Sequence, residues 1–476
     1  MKNSDDKILN LWGLVALVFG PMIGAGIFNI AQNMAAGAGA AAVIISWGIT
    51  ALGMLTLVFT FKMLSDARPD LNSGMYEYAR LGFGRFAGFN MAWGYWLCTA
   101  FGNVAYAVML NDAFGSFFPV FLDHGWPTVI FGLALIWGMF LIVRSGIRTA
   151  SNINRIITAM KFGALIMIAV LLFILFDAGL FTKDFWGETG GLGSLPSQIK
   201  STMMVTLWCF LGIEGASAMS ARARRAEDVG RAGVIGFFCA WTLYALISVL
   251  CFGVMTQQRL AGLPDPSVAY VLRDTCGSPA YYFVVISVIV SLVGGAVAWF
   301  LICAQTAYTA AGTGILPRRF LRLNRHGVPT YGLLVGCVVM SVFLLMVMFA
   351  ERVYLAAINI TSMMVLPAYL FCGLFLCKAG LQPARLLYCN NSRRAGKCLL
   401  MGLCCSVYCL WLIYAGGLDL LVLTSVFYLA GLPFYLRACD ESHDSARFTR
   451  AEKAALVVIA VCAVVSVYLL CTGRVI

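Results

Sequence analysis

The sequence GPMIGAGIF at residues 20–28 interrupts the first of many apolar segments in this chain, and the sequence WCFLGIEGA at residues 208–216 interrupts the sixth. Glycine removes side-chain bulk and proline removes a backbone donor, so both stretches are predicted to unwind a helix. Unwound backbone at membrane depth persists only where it is buried in protein or lines a cavity. The two breaks occupy corresponding positions in two halves of the chain, and we therefore predict a binding site between them.

The composition indicates a helical membrane protein. Hydrophobic residues make up 61% of the 476 residues and charged residues only 11%, whereas soluble domains carry roughly 25% charged residues. The apolar runs are continuous rather than alternating, which favours helices over a membrane barrel. We predict thirteen spans, at residues 9–36, 40–64, 87–118, 127–144, 153–176, 200–219, 232–254, 280–311, 330–349, 353–377, 398–415, 418–436 and 454–472.

The basic residues predict the orientation of these spans, because cytoplasmic loops are enriched in Lys and Arg. With a cytoplasmic N-terminus, only six of the 33 Lys and Arg residues fall outside: Lys183, Lys200, Arg259, Arg273, Arg352 and Arg474. The net charge of +12 is thus explained by topology, with the lipid bilayer as partner, and we expect no nucleic acid partner.

The spacing of the breaks predicts an inverted repeat. A repeat of five spans must start on opposite membrane faces in its two copies, and segments one and six do so. We therefore predict an all-α polytopic membrane protein with a five-plus-five inverted-repeat transporter fold and broken helices 1 and 6. The ten-helix core covers residues 1–377, with repeats at about 9–176 and 200–377, and peripheral C-terminal helices occupy residues 398–476.

Three residues within the predicted spans suit a cationic ligand. Glu214 is the only acidic residue within segment six, and a charge at the bilayer centre costs about 2.5–3.5 kcal/mol, so such residues normally face a cavity. We expect Glu214 to attract a cationic group or to act in gating; the alternative is a structural hydrogen bond to unwound backbone. Trp208 and Trp299 lie inside spans, where an indole face either binds a guanidinium or ammonium group or packs in the core.

Other polar side chains are candidates for the same pathway. Asn103 and Tyr95 share segment three, and Ser362 and Tyr369 share segment ten; each either lines the pathway or pairs with a neighbouring helix. Lys161 stands near the start of segment five and either snorkels to the membrane interface or supplies a fixed cation.

Motifs spread over most of the chain resemble one family. These are GPMIGAGIF at 20–28, SGMYEYARLGFG at 73–84, GYW and GNVA within 94–105, WCFLGIEGAS at 208–217, and WFLICAQTAYTAAGTGILP at 299–317. From about Leu11 to Leu376 the chain is similar to the amino acid–polyamine–organocation (APC) transporters. It most resembles their basic amino acid/polyamine antiporters, including bacterial arginine/agmatine and arginine/ornithine exchangers.

The resemblance implies a role for each candidate. Backbone of the first break would hold the substrate carboxylate, Trp299 would stack on the guanidinium, and Lys161 would replace the sodium ion of other transporters. The implied substrate-binding residues are Ile23, Gly24, Ala25, Gly26, Ile27, Asn103, Trp208, Ile213, Trp299 and Ser362. The implied gating residues are Trp208, Glu214, Tyr95 and Tyr369.

Three departures from the family pattern affect detail. Ala25 stands where arginine/agmatine exchangers commonly have serine, Ala368 stands where a gate tyrosine is expected with Tyr369 one place along, and a thirteenth span exceeds the usual twelve.

The resemblance implies an alternating-access exchanger in the bacterial cytoplasmic membrane, taking arginine in and agmatine out. Arginine/ornithine exchange and broader basic amino acid transport are the alternatives, and a homodimer is left open. A channel would need a ring of selectivity groups, and an enzyme would need a nucleophile or metal constellation. Neither is evident, and three scattered histidines are too few for a metal site. We therefore expect no cofactor and no catalysis.

Overall fold

The computed structural model describes residues 10–68, 71, 74–121, 125–214, 225–347, 353–386, 391–442 and 448–472. Throughout these ranges the regular structure is helical, and no strand is present. In chain order the helices are α1 (Leu11–Met22), α2 (Ile30–Ala35), α3 (Ala40–Ala67), α4 (Met75–Phe83), α5 (Arg85–Gly115), α6 (Trp126–Arg144), α7 (Ile147–Ile174), α8 (Ala178–Lys183), α9 (Leu195–Trp208), α10 (Ala226–Phe252), α11 (Gln257–Ala261), α12 (Ser267–Cys276), α13 (Ser278–Gly312), α14 (Thr330–Val347), α15 (Val353–Leu381), α16 (Pro383–Leu386), α17 (Ser392–Gly416), α18 (Leu418–Leu429), α19 (Leu432–Glu441) and α20 (Arg450–Cys471).

Nine stretches of helix in the described part of the chain are long and apolar enough to cross a membrane. The other four predicted spans correspond to the two broken segments, to α5, and to α7, whose apolar portion runs over Met160–Ile174. Each predicted span therefore contains helix. The chain is a multi-pass membrane protein, as its composition predicted.

Two antiparallel helices, α5 and α13, define the two ends of the bundle. At one end Tyr281 Oη donates to Ser116 Oγ at 2.7 Å, so the start of α13 meets the end of α5. At the other end Arg85 Nη2 donates to the Gly314 carbonyl at 2.9 Å. The short helix α4 lies at the second end and α12 at the first. We call them the α4 end and the α12 end.

The C-terminal helices are attached to the ten-helix core by hydrogen bonds at the α4 end. Arg85 Nη2 also donates to the Ala438 carbonyl at 2.9 Å, and Glu452 Oε1 accepts from the Phe86 amide at 2.9 Å. Glu452 thereby caps the first turn of α5, where backbone N–H groups have no partner within the helix. The remainder of α20 exposes most of its apolar side chains, as expected for a helix that faces lipid.

Candidate functional site

The first break separates α1 from α2 and confirms the predicted interruption of segment one. Helix α1 ends at Met22, and Ile23 leaves helical geometry with φ −82° and ψ 87°. A single 3₁₀ turn at Ala25–Ile27 follows before α2 begins at Ile30. The non-α backbone is therefore about seven residues long and begins at Ile23, later than predicted. Gly20 and Pro21 still belong to α1, and only Gly24 and Gly26 of the predicted glycine and proline residues lie in the unwound stretch.

Side chains from two distant helices bind the carbonyls of the first break. Lys161 Nζ on α7 donates to the carbonyls of Gly20 and Ile23, each at 2.7 Å. Tyr244 Oη on α10 donates to the Met22 carbonyl at 2.9 Å. Lys161 is only 2% exposed, so its ammonium group does not snorkel to a surface. Its amino group lies instead against the broken helix.

The second break begins where α9 ends at Trp208, which confirms the predicted interruption of segment six. Its backbone closes in short turns, with the Phe210 amide donating to the Leu207 carbonyl and the Ile213 amide to the Phe210 carbonyl. Gly212 has φ +101°, a conformation that favours glycine. Residues 215 and 216 of the predicted break lie outside the described residues.

A narrow cavity lies between the two breaks. Its lining consists of Pro21, Met22, Gly24, Gly26, Tyr106, Trp208, Leu211, Tyr244 and Trp299. The space that the centre of a water molecule can reach is about 10 Å³, which suffices for about one water. An amino acid can enter this cavity only if surrounding aromatic side chains move.

Glycines allow the aromatic side chains to approach the first break closely. A Cβ atom on Gly24 would overlap the hydroxyl of Tyr106, and one on Gly26 would lie 2.9 Å from Trp208 Cδ1. Tyr106 and Trp208 also meet edge to face, with ring centroids 6.5 Å apart. The cavity wall thus consists of glycine backbone on one side and aromatic rings on the other.

Glu214 is buried at the edge of the second break and accepts hydrogen bonds from two tyrosines. Tyr95 Oη on α5 donates to Glu214 Oε1, and Tyr369 Oη on α15 donates to Glu214 Oε2 at 2.9 Å. The sequence placed these three residues on three different segments, and the structure brings them together. Tyr95 lies in the first half of α5, which begins at the α4 end, and Tyr369 lies in the second half of α15. The cluster therefore lies toward the α4 end.

Asn103 and Ser362 occupy less direct positions. Asn103 Nδ2 donates to the Thr99 carbonyl at 2.8 Å, whereas its buried Oδ1 has no hydrogen-bond partner among the residues described. That oxygen remains available to accept a bond from a donor. Ser362 Oγ donates to the Met204 carbonyl at 3.3 Å, and Ser362 does not line the cavity. The side chain of Ala25 lies outside the described atoms.

Two cavity residues outside the predicted breaks were missed by sequence reasoning, Tyr106 and Tyr244. Pro21, Met22 and Leu211 lie within the predicted breaks but were not among the predicted binding residues. Tyr106 and Tyr244 are tyrosines within apolar segments, and a buried tyrosine hydroxyl usually requires a partner. That signal could have identified both tyrosines, whereas nothing distinguishes Leu211 from a core residue. In the described part of the chain, no three His, Cys, Asp or Glu side chains come together as a metal site would require.

Comparison with known proteins agrees with this architecture. A family model described as amino acid permease matches residues 9–438. The crystal structure of MhsT in complex with L-phenylalanine superposes with a TM-score of 0.61 at 13% sequence identity, over 86% of this chain and 99% of that one. This likeness confirms the predicted all-α membrane fold.

Two named relatives align with this chain over its whole length. A protein named arginine/agmatine antiporter from Chlamydia caviae is 39% identical over 100% of this chain and 99% of its own length. One of the same name from Chlamydia pneumoniae is 40% identical over 100% of this chain and 99% of its own. With two interrupted helices enclosing an aromatic cavity and a family model spanning residues 9–438, the chain belongs to the amino acid permease family of the APC superfamily.

Proposed function

We propose that this permease exchanges arginine for agmatine, with arginine moving inward across a bacterial cytoplasmic membrane. The cavity between the two breaks carries the proposal, because it brings glycine backbone together with the side chains of two tryptophans. Full-length relatives at about 40% identity that are named arginine/agmatine antiporters support the choice of substrates.

The substrate carboxylate would bind at the first break, where the chain turns into α2 and the N-terminal end of a helix favours an anion. The guanidinium would stack on Trp299, which lines the same cavity. A cation over a desolvated indole gains about 2 kcal/mol. Asn103 Oδ1 would accept a hydrogen bond from the substrate, and Trp208 would cover the bound molecule. Agmatine lacks the carboxylate and would depend on Trp299 and on acidic groups.

Glu214, Tyr95 and Tyr369 would form the gate at the α4 end, which the distribution of Lys and Arg assigns to the cytoplasm. The two tyrosine hydroxyls join α5 and α15 through one carboxylate. Opening toward the α4 end would require at least one of these bonds to break. Closure at one end while the other opens is the essence of alternating access.

Lys161 would take the place of a bound cation. Its ammonium neutralises the partial negative charge of the carbonyls of Gly20 and Ile23, so the first break would need no metal ion. We further propose that residues 1–377 form the transport unit and that the N-terminus is cytoplasmic.

Counterflow in proteoliposomes tests the substrate pair. Vesicles loaded with agmatine should take up labelled arginine, while vesicles loaded with a neutral amino acid should not. Arginine carries one net positive charge and agmatine about two, so this exchange moves charge and should respond to an imposed potential, at about 2.3 kcal/mol per charge per 100 mV. Exchange with ornithine is electroneutral. Uptake that is indifferent to the potential would therefore overturn the agmatine assignment.

A further inference from the structure

Two pairs of buried hydroxyl groups join α9 to α3. Thr202 Oγ1 donates to Ser46 Oγ at 2.8 Å, and Thr50 Oγ1 donates to Thr206 Oγ1 at 2.9 Å. We call these two pairs the hydroxyl ladder. The pairs are four residues apart on both helices, and the residue numbers rise together, so α3 and α9 run parallel with their turns in register. The ladder therefore sets the position of α9 along α3.

Both acceptors of the ladder also use their own hydroxyl protons. Ser46 donates to the Ala42 carbonyl at 2.7 Å, and Thr206 donates to the Met203 carbonyl at 3.0 Å. Each acceptor thus receives a bond from the neighbouring helix and gives one within its own. Because all four ladder side chains are fully buried, loss of one hydroxyl leaves its partner short of a bond that bulk water does not replace.

A third hydroxyl holds α9 from another helix. Ser362 Oγ on α15 donates to the Met204 carbonyl at 3.3 Å. Met204 lies between Thr202 and Thr206, and a helix turns by about 200° over two residues, so Met204 lies on the face of α9 opposite to the ladder. Helix α9 is therefore held between α3 and α15. The resemblance assigned Ser362 to the substrate, whereas in this structure its hydroxyl bonds α9.

The position of α9 decides where the indole of Trp208 lies. Trp208 is the last residue of α9 and follows Thr206 by two positions. Opposite ends of its indole lie close to two glycines: a Cβ on Gly26 would be 2.9 Å from Cδ1, and a Cβ on Gly102 would be 3.5 Å from Cη2. The indole thus fits closely between the first break and α5, and a small shift of α9 would change its place at the cavity.

We infer that the hydroxyl ladder and Ser362 are positioning residues for transport, which hold α9 so that the Trp208 indole covers the bound substrate. None of the five side chains lines the cavity, so their effect on the substrate passes through Trp208. The inference rests on the proposed function, in which Trp208 covers the bound molecule. A lost ladder bond should raise the KM and leave the maximal rate nearly unchanged, because it weakens binding. A purely structural role would instead reduce the number of working carriers.

Arginine counterflow in proteoliposomes tests the ladder at the pair nearest to the cavity. Thr206→Val removes the hydroxyl and keeps the branched shape. We expect its KM for arginine to rise roughly threefold, as for loss of one hydrogen bond between membrane helices, with the maximal rate nearly unchanged. Thr206→Ser retains the hydroxyl and should restore the KM. Thr50→Val removes the same bond from the side of α3 and should give the same rise, so the test stands if one variant fails to fold.

A double-mutant cycle with Trp208→Ala separates positioning from a structural role. If the ladder acts through the indole, Thr206→Val should add no further rise to the KM of Trp208→Ala. Thr424→Val is the matched control, because Thr424 is a buried threonine of α18 whose hydroxyl donates at 2.7 Å to the Leu421 carbonyl of the same helix. It should leave the KM unchanged.

Three results would overturn the positioning role: an unchanged KM in both valine variants of the ladder, a lower maximal rate at the same KM, or a rise that multiplies with that of Trp208→Ala. Failure of the unmodified protein to exchange arginine for agmatine would overturn the proposed function instead. The same cycle, measured with the substrate that the protein does exchange, would then still decide the role of the ladder.

Discussion

The two breaks look alike in sequence but are stabilised by different means. The first break has three of its carbonyls bound by side chains from other helices, namely Lys161 on α7 and Tyr244 on α10. The second break closes through its own short turns around Gly212. There the side chains of other helices bind the Glu214 carboxylate rather than the backbone.

The difference teaches how an inverted repeat can become asymmetric. In each repeat the fifth helix supplies a side chain to the broken helix of that repeat: α7 supplies Lys161 and α15 supplies Tyr369. In the first repeat the group is a lysine amine that donates to carbonyls, and in the second it is a tyrosine hydroxyl that donates to a carboxyl group. The first break is therefore suited to be a fixed structure and the second to be a movable one.

Removal of Lys161 is the strongest test of the first break's dependence on side chains. Lys161→Met leaves two buried carbonyls without a donor, at roughly 1–3 kcal/mol each. We expect a large drop in the thermal unfolding midpoint of the purified protein and arginine counterflow at background.

The matched control is Lys62→Met, because Lys62 forms a partly exposed pair with Asp66 at 2.6 Å. Such surface pairs contribute about 0–1 kcal/mol, so little change is expected. Equal behaviour of the two lysine variants would remove the distinction between the breaks.

Gly24→Ala tests the close approach of an aromatic ring to the first break. The added Cβ would overlap the Tyr106 hydroxyl, and displacement of a binding group by about 1 Å can cost on the order of a hundredfold in rate. We expect arginine exchange to fall by about that factor. Gly48→Ala is the control, since nothing lies within 4 Å of its built Cβ. A fully active Gly24→Ala would show that the cavity is not the binding site.

Trp299→Ala tests the side of the cavity that belongs to the second break, because Trp299 Cζ2 lies 3.6 Å from a Cβ built on Gly212. Loss of about 2 kcal/mol of cation–π attraction should raise the KM for arginine roughly thirtyfold. The KM of Trp299→Phe should lie between those of the unmodified protein and Trp299→Ala. Trp137→Ala, at a half-exposed tryptophan of α6, serves as control. An unchanged KM in Trp299→Ala would assign the guanidinium to another surface.

Tyr369→Phe should have the smallest effect and the most specific one. The variant removes one of two bonds to Glu214, a loss of about 0.5–1.5 kcal/mol, and should ease opening at the α4 end. We expect arginine uptake into vesicles without internal substrate to rise roughly two- to tenfold. Tyr414→Phe, at an exposed tyrosine, should leave this uptake unchanged. If Tyr369→Phe takes up no more arginine than the unmodified protein into vesicles without internal substrate, the second break is as fixed as the first.

The positions of the breaks could be predicted from sequence because glycine and proline act locally. Gly20, Pro21, Gly24 and Gly212 alter backbone preferences wherever they stand. Glu214 was identified for a similarly local reason, since an acid within an apolar segment is costly.

The aromatic lining and the hydrogen-bond partners could not be predicted in the same way. Nearly every residue of α5 is buried, so no polar face reveals which side of the helix meets the cavity. The contacts of Tyr106 with Gly24 and of Tyr244 with Met22 depend on helix rotation, which is decided by packing across the whole bundle. Sequence reasoning left two alternatives for Lys161, and its burial against Gly20 and Ile23 argues against snorkelling to the membrane interface.

The cap on α5 has a consequence for how the molecule is made. The Phe86 amide and the Glu452 carboxylate are 366 positions apart, so a growing chain inserts α5 long before the ribosome reaches the residue that completes its first turn. Until then water or lipid headgroups must accept the hydrogen bond of that amide. Complete capping of the first turn of α5 therefore depends on insertion of the last helix. Nascent chains that end before residue 452 would leave the Phe86 amide without this cap.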